Sequence, residues 1–176
     1  VLRDMFQNHL LQLLALVAME PPSTFEANAL RNEKVKILQA VRRSAGESGH
    51  RDAVRGQYRG YRHQRGVAPE SVTATYCAVR LLIDNWRWRG VPFYLRSGKA
   101  LGERLTEIVV QFQSPPHMLF QSEHAVDIKP NALVLRIQPN EGVYLRFEVK
   151  VPDSEQQMRS VHMDFDYSSG MRGVSI

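Results

Sequence analysis

Apolar positions near the start of the chain recur at three- and four-residue spacings. Over residues 4–19 the series is Met5, Leu10, Leu13, Leu14 and Val17, with steps of three and four from Leu10 on, the period of a helix that buries one face. Asp4 with Gln7 three residues on reads as a capping box, and Glu20-Pro21-Pro22 reads as the stop. A second helix is predicted over residues 25–43, striped by Leu30, Val35, Leu38 and Val41. Residues 44–70 are rich in Gly, Arg and His and predict a surface loop around a short strand near Tyr58. A third helix is predicted over residues 73–85.

The pattern then changes period. Residues 91–96, 107–113, 132–138, 143–149 and 160–167 each read as strands. The last sets Val161, Met163, Phe165 and Tyr167 against His162, Asp164 and Asp166. Pro139-Asn140-Glu141-Gly142 predicts a hairpin turn with Gly142 at positive φ, and Pro115-Pro116 breaks the chain between two other strands. Helices first and strands afterwards indicate an α+β fold: a large, mostly antiparallel sheet with helices on one face. No strand–GxGxxG–helix unit is present, so no nucleotide-binding fold is visible.

Composition changes this picture little. Of 176 residues, 43% are hydrophobic and 23% charged, as in globular proteins. The richest apolar run, residues 10–19, is about half the length a bilayer span needs. Val1-Leu2-Arg3-Asp4 does not resemble a signal peptide, and both ends read as cut. The single Cys77 forbids an internal disulfide, reads as a buried small hydrophobe, and fits a reducing cytoplasm. The net charge of +5 favours anions. The basic residues are scattered rather than interleaved with aromatics, so neither nucleic acid nor membrane is expected as a partner.

Three stretches resemble glucose-6-phosphate dehydrogenase in that family's own order. RDMFQNHLLQLLALVAMEPP (residues 3–22) is similar to its R-D-x-x-Q-N-H-L-L-Q segment. STFEANALRNEKVKILQAVR (23–42) and VRGQYRGY (54–61) follow. NWRWRGVPFYLRSGKALGERLTEIVVQF (85–112) and NALVLRIQPNEGVYLRFEVKVP (131–152) complete the set. The resemblance covers most of the chain and implies a partial C-terminal, substrate-binding and oligomerisation domain over residues 1–176, without the dinucleotide-binding domain.

On that resemblance His9 in Q-N-H-L-L is the catalytic base. A neutral imidazole suits removal of a proton from the sugar's anomeric hydroxyl. Its place early in a helix is expected to keep the base form available. Asp4 is implied as a sugar contact, accepting hydrogen bonds from hydroxyls, against the plainer reading of a helix N-cap; Arg3 and Gln7 read as scaffold. Lys99 in Arg96-Ser97-Gly98-Lys99 and Arg104 are implied as contacts to glucose 6-phosphate, with Gly98 letting the backbone come close. Gln138 is a further candidate, against simple packing at the sheet edge.

Arg96 and Arg136 match positions that hold a second, structural NADP in some family members. Leu105 and Val109 stand where those members carry positive charge, so no structural NADP is expected, and the two arginines are read as sheet-face ion pairs. Trp86 and Trp88 are expected to pack under the sheet.

The resemblance further implies oxidation of glucose 6-phosphate to the lactone with NADP at the entry to the pentose phosphate pathway, no metal, and a homo-oligomer formed through the sheet. The chain alone is expected to be inactive. The competing reading is a non-catalytic binding or oligomerisation module derived from this domain.

Overall fold

A computed structural model of the chain describes residues 2–42, 52–114, 129–154 and 158–170. It divides into two units, Val1–Leu101 and Gly102–Ile176. The first unit begins with a helical run of two windings. Leu2–Leu10 is a π-helix and passes directly into α1, Leu11–Ala18. The buried residues of this run are Phe6, Leu14, Ala15 and Ala18, with Leu10 partly buried against the same core. Leu10 and Leu14 belong to the expected stripe, whereas Met5, Leu13 and Val17 give way to Phe6 and the alanines. The run ends at Met19, whose N–H donates to the Ala15 carbonyl at 2.9 Å. α2 spans Ala27–Ala40 and fully buries only Ile37, while Val35 is exposed.

Residues 73–85 are not a helix. Tyr76–Leu82 is strand β2, lying between β1 (Ala53–Gly56) and β3 (Pro92–Gly98) in an antiparallel sheet of order β1-β2-β3. The misreading has a physical source. Cys77, Val79, Leu81 and Ile83 share one face and Tyr76, Ala78, Arg80 and Leu82 the other; only Arg80 is charged, so apolar residues stand on both faces and the alternation that marks a strand is blurred. The short strand predicted near Tyr58 is β1, and a 3-10 turn, Tyr61–His63, follows it.

One face of this sheet carries the core. Cys77, Ile83 and Leu95 meet Phe6, Leu14, Ala18 and Ile37 of the helices. The burial of Cys77 pushes its thiol above the ordinary value. The Trp88 indole N–H donates to the Ala18 carbonyl at 2.9 Å, and its ring meets Phe93 edge-on at 5.2 Å. Trp86 is fully exposed, so only one tryptophan packs as expected. The ends of α2 and β2 are tied together. Arg42 N–H donates to Leu82 O and Asp84 N–H to Ala40 O, both at 2.8 Å, and the Arg42 guanidinium forks onto the Asp84 carboxylate.

In the second unit β4 (Thr106–Gln111), β5 (Ala132–Gln138), β6 (Gly142–Lys150) and β7 (Met158–Asp166) form an antiparallel sheet in sequence order, followed by a single turn of helix, α3, at Tyr167–Gly170. The strands therefore form two sheets among the described residues, not one. Strand patterns reveal which residues extend, but not which strands share a ladder. Between β3 and β4 the chain leaves extended geometry at Ala100, where φ is 55°. Registers place Glu107, Arg136, Tyr144, Arg146, His162, Asp164 and Asp166 on one face of the second sheet. Ile108, Val110, Leu133, Leu135, Val143, Leu145, Phe147, Val161, Met163 and Phe165 lie on the other. Met163 remains 62% exposed on that apolar face.

Gly142 is not at positive φ. It is the first residue of β6, and a Cβ there would stand 2.7 Å from the Phe165 carbonyl oxygen. Close strand approach is what requires glycine. Pro115-Pro116 lies outside the described residues.

Ile83 is 0% exposed, so Ile83→Ala is expected to destabilise the chain by about 2–5 kcal/mol, read from urea unfolding. The hydrogen bonds from Arg42 and Arg87 hold the carboxyls of Asp84 and Glu20 below their ordinary values. A carboxyl depressed in the folded chain contributes stability above its unfolded value and loses it as pH falls through the folded one. Urea midpoints are therefore expected to fall below the ordinary carboxylate range, with a smaller acid loss in Asp84→Asn. An identical acid limb in that variant would refute the assignment.

Candidate active site

Asp4 and His9 both project from the π-helical stretch, and both are exposed. Asp4 is the third residue of that helix rather than its N-cap, which removes the capping-box reading with Gln7. His9 sits at the far end of the stretch and leads into α1. The field of a helix end fades within its first turn, so the dipole argument for His9 fails. This helix packs against β3, the strand that runs out to Lys99.

Lys99 follows the last residue of β3 and is exposed. Its backbone is fixed by a residue that sequence reasoning passed over. Thr75, 2% exposed, accepts the Lys99 N–H at its carbonyl (2.8 Å) and the Tyr58 N–H at its hydroxyl (2.9 Å). Its own N–H donates to the Gly56 carbonyl at 2.9 Å. One buried threonine thus joins the end of β1, the loop after it and the turn carrying Lys99. In a helix over residues 73–85, as the sequence predicts, nothing singles it out. Gly98 has a packing reason rather than a ligand reason. It pairs with Tyr76, and a Cβ there would lie 2.7 Å from the Tyr76 ring.

Arg104 and Gln138 belong to the second unit. Arg104 is exposed two residues before β4, whose first residue, Thr106, pairs with Gln138. The two residues therefore lie at the same end of that sheet. Gln138 is exposed there, and its peptide bond to Pro139 is cis. Arg136 is not in an ion pair of the kind expected. Its guanidinium donates to the Tyr144 hydroxyl at 3.1 Å and lies 4.7 Å from that ring's centre. Neither Arg96 nor Arg136 belongs to the ion pairs found among the described residues.

The arrangement sets an exposed carboxylate and an exposed imidazole on one helix, which packs against the strand leading to an exposed lysine. Chemically, it can accept hydrogen bonds from hydroxyls, take up a proton and attract an anion. A depression lined by Tyr58, Tyr61, Arg62 and His63 contains none of these residues. Its Arg62 is already committed to Gln57 and to the Ser71 carbonyl. Among the described residues no cluster of His, Cys, Asp and Glu is placed to hold a metal, and no helix is long and apolar enough to cross a membrane.

Residues 1–175 match the family described as glucose-6-phosphate dehydrogenase, C-terminal domain. Glucose-6-phosphate 1-dehydrogenase of Aggregatibacter actinomycetemcomitans is 47% identical over 177 residues, covering 95% of this chain and 35% of that protein. Glucose-6-phosphate 1-dehydrogenase 2 of Mycobacterium tuberculosis strain H37Rv is 46% identical, with 95% and 34% covered. Among solved structures, glucose-6-phosphate 1-dehydrogenase from Mycobacterium avium superposes with a TM-score of 0.82 at 43% identity, covering 94% of this chain and 36% of that one. A glucose-6-phosphate dehydrogenase in complex with its substrate glucose-6-phosphate gives 0.84 at 38% identity, covering 100% and 36%. The chain spans about a third of the length of the curated relatives it matches.

Thr75→Val keeps the shape but leaves the Tyr58 N–H without its acceptor. It is expected to cost about 1–3 kcal/mol, and Thr75→Ser is expected to retain most of that stability. Equal unfolding midpoints for the two variants would show that the hydroxyl is not the tie.

Proposed function

Because the chain belongs to the glucose-6-phosphate dehydrogenase C-terminal domain family, we propose that it forms the sugar-binding wall of an enzyme oxidising glucose 6-phosphate to the lactone. The observation that carries this reading is the exposed imidazole of His9, set within the ordered family segments and on a helix packed against the strand leading to Lys99.

In this reading the His9 imidazole accepts the proton of the anomeric hydroxyl as that carbon is oxidised. The Asp4 carboxylate accepts hydrogen bonds from sugar hydroxyls and holds the ring in place. Lys99 offers positive charge to the phosphate, and the roles of Arg104 and Gln138, which belong to the second unit, rest on the family resemblance alone. NADP is the hydride acceptor. The residues of this chain do not fit it, since no strand–GxGxxG–helix unit is present, and no step through it is assigned to them. Uncharged Leu105 and Val109 support the absence of a second, structural NADP site. The mixed surface charge and single buried thiol support a cytoplasmic setting.

A homo-oligomer built on the apolar face of the second sheet accounts for the exposure of Met163 and Phe165. That face also favours the alternative of a non-catalytic association module. A catalytic role for His9 separates the two.

In the longer dehydrogenase, His9→Asn is expected to lower turnover about 10²-fold or more with little change in substrate binding. Near-normal turnover would defeat the assignment. The 176-residue chain alone, given glucose 6-phosphate and NADP, is expected to produce no NADPH. Steady NADPH formation would show that the cofactor is held without a strand–GxGxxG–helix unit.

A further inference from the structure

The π-winding of Leu2–Leu10 has a geometric effect on the two residues of interest. Asp4 and His9 are five positions apart. In an α-helix five residues turn through 500°, which leaves such a pair about 140° apart around the axis. In a π-helix, where hydrogen bonds close five residues on, the same pair falls within roughly 50°. The winding decides whether the carboxylate and the imidazole look out from one side of the helix or from nearly opposite sides.

Burial along the stretch agrees with the π geometry. Phe6 is buried and Leu10 partly buried, whereas Asp4, Asn8 and His9 are exposed. Under uninterrupted α-winding His9 would lie about 60° from Phe6, on the flank turned toward the core. Under π-winding the separation roughly doubles, and His9 joins Asp4 on the open side.

We infer that the π-helix is a positioning device: it places Asp4 and His9 on one helical face, so that a single polyhydroxyl ligand can be held by the carboxylate while its proton reaches the imidazole. The inference rests on the functional reading above for the roles of the two side chains. The shared face itself rests on geometry alone. Neither side chain needs to touch the other, because the ligand spans them. Reverting the segment to α-winding would leave both residues present and exposed to different surroundings.

A metal clamp tests the shared face without any enzyme activity. Two imidazoles on one helical face chelate Cu²⁺, and two on opposite faces do not. In the full chain Asp4→His, paired with the resident His9, is expected to bind Cu²⁺ about tenfold or more tightly than the unmodified chain. The control is the double variant Arg31→His with Lys36→His. This pair has the same five-residue separation, but lies on the regular α-helix α2 with both positions exposed, and is expected to show no clamp. Clamping by Met5→His but not by Asp4→His would mean ordinary α-winding and would overturn the inference.

A kinetic arm in the longer dehydrogenase reads the function. Asp4→Asn is expected to raise KM for glucose 6-phosphate about tenfold with a smaller change in kcat. A clamp in Asp4→His with an unchanged KM in Asp4→Asn would overturn the shared ligand while leaving the winding intact. Absence of dehydrogenase activity in the unmodified protein would sink the functional reading, and the clamp would still decide the geometry.

Discussion

One packing constraint organises the first unit: Phe6, Leu10, Leu14 and Ala18 must all reach the same face of the β1–β2–β3 sheet. These residues are spaced four apart, slightly more than one α-helical turn, so in a uniform α-helix the row drifts steadily around the axis. Three such steps would carry Ala18 well away from the side on which Phe6 packs. A looser winding over the first part of the run turns back against that drift and keeps the row over Cys77, Ile83 and Leu95. The unusual helix is therefore explained by the core, and the exposed residues between the buried ones take their directions from it.

The rest of the unit follows from that layer. Trp88 locks the end of α1 by donating to the Ala18 carbonyl, and the Arg42–Asp84 fork closes α2 onto the end of β2. The forks are solvent-exposed and contribute little beside the buried face of the sheet; they set where the elements end. On the other side, Thr75 ties β1 to the turn carrying Lys99 through three hydrogen bonds. Both proposed ligand-contacting segments of this unit thus hang from buried groups, although their own side chains are in water.

Much of the fold was legible in the sequence because periodicity is a direct consequence of burial. β5 falls on the predicted residues, 132–138, and β3, β4, β6 and β7 differ only at their ends, since each alternates or lies between turn residues. β2 was not legible, because apolar residues stand on both of its faces with Arg80 as the one charge among them, and its Val and Leu spacings suit a helix equally well. The π-winding was hidden too: Leu10, Leu13, Leu14 and Val17 keep the α period, the five-residue step from Met5 to Leu10 does not, and Phe6 rather than Met5 is the buried residue. For the site, the types of residue were visible but their roles came from resemblance. His9 on its own is an exposed histidine on a helix. Thr75 carries no chemistry that composition could flag, and its importance is entirely in its hydrogen bonds.

Cys77, the chain's single cysteine, lies in the middle of this layer. Its sulfur is covered by the same helices that set the direction of His9, and burial keeps the thiol protonated. A thiol reagent can reach it only when helix and sheet part. The rate of its modification in native buffer is thus a clock for that separation, supplied by the sequence itself, and comparison with the rate after unfolding converts it into an opening equilibrium for the part of the fold that carries the site.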